Sequence, residues 1–145
     1  EITCRDGVQT CALPICQQIA SKKVYAIDTG LANTVGFGFS PNTGKLLENL
    51  VFLALRRQTK EVYYYATPGG FEVDFYLPET RQLIQVARNM DNPATREREI
   101  RALRDAITSI KVESALILSD ANEDDFDLGG VQVEVRSVAE WLLGK

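Results

Sequence analysis

The chain has 145 residues, 45% of them apolar and 25% charged, with a net charge of -4. That size allows one domain with a real core and is short for two, and the balance is that of an ordinary globular chain. No apolar stretch approaches the roughly 18 residues needed to span a bilayer, the first residues lack the basic-then-apolar pattern of a secretory signal, and the acid excess weighs against a stand-alone nucleic-acid binder, whose affinity depends on neutralising phosphates. A cytoplasmic setting without a membrane partner is the expectation.

Cys4, Cys11 and Cys16 all fall in the first sixteen residues. An odd count with none elsewhere is not a disulfide framework, and without a histidine in the chain a zinc site lacks ligands. Residues 7–15 read GVQTCALPI, a string that resembles the forward translation of a common sequencing-library adapter. Segments of such origin are set aside before fold reasoning. Residues 1–16 are therefore expected to be a non-native, adapter-derived segment from a metagenomic assembly, to carry no function, and to contact the rest poorly. On this reading the chain is a fragment whose natural sequence continues upstream.

Residues 23–27 (KVYAI) form a short β-rich run ended by the turn signal Asp28-Thr29-Gly30. Residues 31–43, with Gly36, Gly38, Pro41 and Asn42, read as loop. Thr43 is placed to cap a helix over residues 44–58. That helix is apolar most of the way round, which predicts burial, and Glu48 is the exception in it. Three strands follow, over residues 61–67, 71–77 and 81–87, with turns at Pro68-Gly69-Gly70 and Pro78 to Thr80. In the second, alternation predicts Phe71, Val73, Phe75 and Leu77 on one face and Glu72, Asp74 and Tyr76 on the other. A helix over residues 94–110 carries the stripe Ile100, Leu103 and Ile107. Strands over residues 113–119 and 131–135 and a short helix over 137–143 bearing Trp141 complete the order. The sequence α-β-β-β-α-β, then β and α, predicts an α/β fold: a mixed sheet flanked by helices, its first three strands an antiparallel meander.

Two motifs are decoys. GFSPNTGK, residues 38–45, has five residues between its glycines and Leu46 after the lysine, where a phosphate loop needs four and a hydroxyl. The run from Asp120 to Asp125 starts like a calcium loop but lacks the sharp-turn glycine and the bidentate glutamate, and reads as an acidic surface loop. The arginines at 88, 96, 98, 101 and 104 are likewise read first as solvated surface.

The constellation that can carry chemistry is Glu48, Glu72, Asp74 and Gln85. A carboxylate in an apolar helix must be paired or bind a metal. Oxygens from one helix and two neighbouring strands can hold magnesium, which would make a hydroxide nucleophile and stabilise the leaving oxygen of a phosphodiester. The plainer reading leaves Glu72 and Asp74 in solvent and pairs Glu48 with Arg56 or Arg57.

The runs KVYAIDTGL, LLENLVFLALRR, EVYYYATPGGFEVDFYL and LIQVARNMDNPATREREIRAL resemble the C-terminal domain of unknown function carried by a family of predicted AAA-type ATPases. The resemblance covers nearly everything after residue 20. It implies a restriction-endonuclease-like domain over residues 31–145, of the PD-(D/E)XK nuclease superfamily, whose αβββαβ core has the order read above. Residues 17–30 then resemble the join to upstream ATPase and winged-helix modules, where any ATP would bind. The resemblance places metal-binding acids at Glu48 and Asp74, with Glu72 beside them, and asks the third strand for an acid, a spacer and a lysine.

The third strand here has Gln85, Val86 and Ala87. A glutamine oxygen is a weaker magnesium ligand than a carboxylate, and alanine orients no water. Arg88 should point to the opposite face by alternation. Arg96 or Arg98, reaching in from the next helix, could supply charge but could not carry a proton. The implied catalytic set of Asp74, Glu72 and Gln85 is thus degenerate, with Mg2+ held weakly or not at all. The function implied is a nuclease-like accessory domain that binds nucleic acid (DNA) or a partner, with Arg88, Arg96 and Arg98 as contact residues. Two alternatives stand beside it. One is an active Mg-dependent DNA nuclease that tolerates Gln85; the other is a structural domain in which Trp141, Tyr63, Tyr64 and Tyr65 serve packing and an oligomer contact.

Overall fold

The computed structural model describes residues 2–4, 23–27, 43–120 and 124–144. Cys11 and Cys16, the turn at Asp28 to Gly30 and most of the glycine-rich loop lie outside the described residues. Helix α1 (Thr43–Gln58) leads into strands β2 (Tyr63–Ala66), β3 (Glu72–Leu77) and β4 (Gln82–Ala87). Helix α2 (Pro93–Ser109) crosses to β5 (Ser114–Ser119), after which β6 (Asp124–Leu128), β7 (Val131–Ser137) and α3 (Val138–Leu142) close the chain. A further strand, β1 (Ile2–Cys4), lies at the edge. The sheet order is β1-β2-β3-β4-β5-β7-β6.

The fold is α/β, with a mixed sheet flanked by helices as the sequence pattern predicts. Strands β2, β3 and β4 form an antiparallel meander, while β4, β5 and β7 run parallel. Parallel neighbours need a crossover, and α2 supplies the first. Asn92 caps α2, its side chain accepting from the Ala94 and Thr95 N–H groups at 3.0 and 3.2 Å, and Pro93 takes the first helical position, where no N–H is needed.

Two cores lie on opposite faces of the sheet. On one, Val51, Phe52 and Leu55 of α1 pack with Phe75, Ile84, Leu116, Leu118 and Val138, joined at the margin by Trp141. On the other, Ala102, Leu103 and Ala106 of α2 pack with Val73, Tyr76, Leu83, Ala87 and Ile117. Each face therefore removes a continuous apolar surface from water, the main stabilising term of such a layered fold. Helix α1 is less deeply embedded than its composition predicts, because Leu50 is 39% exposed.

The structure departs from the sequence reading in four further places. First, Phe75 packs toward α1 while Val73 and Tyr76 pack toward α2, so the predicted alternation along β3 fails. The cause is a bulge: Tyr65 pairs Val73 but Tyr63 pairs Tyr76, leaving one extra residue in β3. A bulge bends a strand and re-aims the side chains beside it, and here it lies at Asp74 and Phe75. Second, residues 23–27 are not a strand. Third, the acidic run is not all loop, since Asp124–Leu128 is the edge strand β6, paired with β7; its charges suit an edge that must not recruit another chain. Fourth, Ile2–Cys4 pairs β2 antiparallel, so poor contact of the leading segment does not hold for those residues.

Candidate functional site

The bulge sets up the site. The β3–β4 pairing runs from Leu77↔Gln82 to Phe75↔Ile84 and stops there. Beyond it, side chains take over the hydrogen bonds of the backbone. The Val86 N–H donates to Asp74 Oδ2 at 3.0 Å, and the Asp74 N–H donates to Gln85 Oε1 at 3.2 Å. Asp74 is thereby fixed with its other carboxylate oxygen directed toward α1.

That oxygen meets Lys23. The Lys23 ammonium donates to Asp74 Oδ1 at 2.9 Å and to Glu48 Oε1 at 3.2 Å, and Glu72 Oε2 lies 3.9 Å away. Tyr25 donates its hydroxyl to the same Glu48 oxygen, and its ring stacks on Phe52 of α1 with centroids 4.1 Å apart. Asn49, the buried neighbour of Glu48, holds the backbone of Ala26 from both sides, accepting its N–H at 2.8 Å and donating to its carbonyl at 2.9 Å. Residues 23–27 thus lie as a strap over the acidic cluster. Glu48 pairs with neither Arg56 nor Arg57 there; the Arg56 guanidinium donates to the Lys60 carbonyl.

The cluster brings together Glu48, Asp74 and, at its exposed edge, Glu72. It does not include the side-chain functions expected of β4. Leu83 and Ala87 pack with α2 and Ile84 with α1, so alternation turns Gln85 toward α2. Its amide donates to Glu99 Oε2 at 2.6 Å, and both groups are buried. Glu99 is also held by Arg98, whose Nε lies 3.0 Å from Oε1. Arg96 forms an ion pair with Asp124 and lies over the ring of Phe126. Arg88 lines an open polar hollow with Asn89, Asp91 and Asp120. Tyr63, Tyr64 and Tyr65 are all buried, which accords with packing and offers little for a contact between copies.

A divalent ion does not fit the cluster as it stands. Magnesium needs oxygens at about 2.0–2.1 Å in near-octahedral array, yet an ammonium sits between the two best-placed carboxylates and the Gln85 oxygen is held by a backbone N–H. Among the described residues, no group of three or more His, Cys, Asp or Glu is arranged to hold a metal ion.

Burial, followed by the charge of Glu48, pushes the Asp74 carboxyl up to about 6, against the opposing pull of Lys23 and the Val86 N–H. Burial works against the Lys23 ammonium, but the charges of Asp74 and Glu48 and their hydrogen bonds outweigh it and raise its pKa. A carboxyl raised in the fold favours folding below its unfolded pKa near about 4 and loses that contribution as pH rises through about 6. The Asp74 carboxyl resonance should titrate near that upper value. Lys23→Met, which removes the opposing cation, should move its midpoint higher; an unchanged or lower midpoint would contradict the pairing.

Comparison with known proteins fits this picture of one domain. The family described as a domain of unknown function, DUF4143, matches residues 43–138. The chain belongs to that family. The matched span of the DUF4143 domain runs from the start of α1 to the start of α3 and includes Glu48, Glu72, Asp74 and Gln85, but not Lys23. A relative from Methanocaldococcus jannaschii, Uncharacterized protein MJ1544, is 39% identical over 114 residues, covering 75% of this chain and 25% of the relative. The chain thus spans about a quarter of the length of the curated relative it matches. No solved structure matches it significantly. Among the described residues, no helix is long and apolar enough to cross a membrane.

Lys23, Tyr25, Asn49 and Glu99 were not singled out by the sequence pattern. One signal was present. Glu99 lies three, four and seven residues before Ala102, Leu103 and Ala106 on the buried stripe of α2, so it had to find a partner.

Proposed function

We propose that this DUF4143 domain is a nuclease-like accessory module of an ATP-binding protein, with a catalytic site that has lost its chemistry, and that it serves to bind a partner or nucleic acid for that protein. The order α-β-β-β-α-β, with a meander and then a crossover into a parallel strand, supports membership of the PD-(D/E)XK superfamily. The observation that carries the loss of chemistry is the direction of β4. Gln85 and Ala87 turn toward α2, so this strand brings neither an acid nor a lysine to Asp74. Any ATP belongs to an upstream module joined through residues 17–30, and the setting is cytoplasmic.

Arg96 and Arg98 are engaged by Asp124 and Glu99. Phosphate contacts need guanidinium groups that are free to neutralise them, so a protein partner is favoured over DNA. One observation favours the alternative of an active Mg-dependent nuclease: Lys23 brings an ammonium to 2.9 Å from Asp74 from outside the third strand. The expected result with purified protein is no cleavage of duplex or single-stranded DNA in magnesium or manganese. Cleavage that depends on the metal and disappears in Asp74→Ala would replace the leading reading by the alternative.

A further inference from the structure

Helix α2 turns Glu99, Ala102, Leu103 and Ala106 to the interior and carries a second stripe on its outer side. Pro93, Arg96, Glu97, Ile100, Arg101 and Arg104 recur along the helix at one-turn spacing and line an open hollow of about 340 Å3. From Pro93 to Arg104 the stripe runs about 16 Å. Its floor is apolar: Ile100 is half-buried against the core on the α2 side of the sheet, and at one end the Arg96 guanidinium lies over the ring of Phe126. Its rim is cationic, with three arginines to one acid, in a chain whose net charge is -4. Arg101 pairs with Glu97 one turn back, both side chains more than half exposed, and such a pair is weak and readily exchanged. Among the described residues, Arg104 makes no ion pair or hydrogen bond.

We propose that this stripe of α2 docks an acidic segment of a protein partner, its carboxylates taken by Arg101 and Arg104 and an apolar side chain laid on Ile100. The proposal rests on the reading of the domain as a binding module, and it names what the partner must carry. A guanidinium fork meets a carboxylate through two parallel hydrogen bonds, and the length of the stripe matches about five residues of extended chain. Charge decides against a nucleic acid. A phosphate backbone must be neutralised at several successive points, whereas the row of cations stops at β6, where Arg96 already pairs with Asp124 and Asp125 and Asp127 are exposed. A short acidic segment ends before that edge; a duplex would have to run past it.

The test is fluorescence anisotropy with the whole chain and a labelled peptide in which one leucine is flanked on each side by two glutamates. The unaltered chain should bind this probe at least tenfold more tightly than a version with glutamine for every glutamate, and binding should weaken as salt is raised. A probe with serine in place of the leucine should bind several-fold more weakly, which reads the apolar floor without altering the protein. Arg101→Glu with Arg104→Glu should lose at least tenfold in affinity. Both positions are exposed, so thermal unfolding of that variant should change little. Arg104→Glu alone should lose several-fold, while Lys60→Glu, the same change of charge at an exposed position outside α2, should bind as the parent does. No preference for the acidic probe, or equal binding by the parent and the double variant, would overturn the groove. A duplex oligonucleotide bound more tightly than the peptide, and lost in the double variant, would overturn the protein partner and give the stripe to nucleic acid. Loss in Arg88→Glu with full binding by the double variant would overturn the groove and leave a binding module that works through another face. Metal-dependent DNA cleavage by the parent would instead overturn the proposed function and leave the peptide result standing.

Discussion

The double change Gln85→Glu with Ala87→Lys, which writes the nuclease pattern of acid, spacer and lysine back into β4, is expected to cost about 3 kcal/mol or more of stability and to gain no metal affinity. A carboxylate at position 85 would face Glu99, whose oxygen now lies 2.6 Å from the Gln85 amide nitrogen. Two carboxylates that close cannot both ionise, so one must take a proton or the pair must separate. The amide hydrogens that now satisfy Glu99 would be gone as well, leaving a buried acceptor with a weaker set of donors. At position 87, 3% exposed beside Met90, Leu103 and the rest of the α2 core, a lysine adds volume to a packed interior and carries a charge into it. Neither side chain points at Glu48 or at the Asp74 oxygen that Lys23 holds. Denaturant unfolding reads the loss, and calorimetry with Mn2+ reads the metal. A variant as stable as the parent that binds Mn2+ through Asp74 would show that β4 can turn over, and would remove the main ground for a degenerate site.

That expectation reverses what the sequence alone suggests, and the reason is local. Gln85 and Ala87 are two residues apart, so any strand places them on one face; which face depends on the strand's neighbours. The runs at β2, β4, β5 and β7, the turns between them and the stripe of α2 were all legible from composition and period. So was Glu48 as an acid that needed a partner. The bulge at Asp74 was not legible, because EVDFYL is a regular alternating strand on paper, and its extra residue exists only relative to the pairing with β2. Lys23 was hidden for a different reason. Its partners lie 25 and 51 residues away, and nothing in KVYAI marks it as a strap docked on side chains instead of a strand in the sheet. β6 was masked by its charge: DDFDL has poor β-propensity, and the sheet accepts it because an edge strand has one side in solvent.

Phe75→Ala is expected to remove about 3–5 kcal/mol and to loosen the acidic site with it. Phe75 is fully buried on the α1 face, placed there by the bulge that also aims Asp74. Its ring lies 6.3 Å from that of Phe52 and 6.0 Å from that of Tyr25, so one side chain supports both α1 and the strap. Truncation leaves a cavity beneath the Tyr25 and Phe52 stack, and the rings that border it lose contacts that rigid neighbours cannot restore. Tyr25→Phe is the control. It keeps the stack and removes only the hydroxyl that donates to Glu48, a loss of about 1 kcal/mol. If the aromatic group is what positions the strap, exchange at Ala26 should rise in Phe75→Ala well beyond its rise in Tyr25→Phe, at a denaturant-free condition where both are folded. If Ala26 stays equally protected in the two variants, the strap is held by the Lys23 and Asn49 contacts alone, and Phe75 serves only the packing of α1 on the sheet.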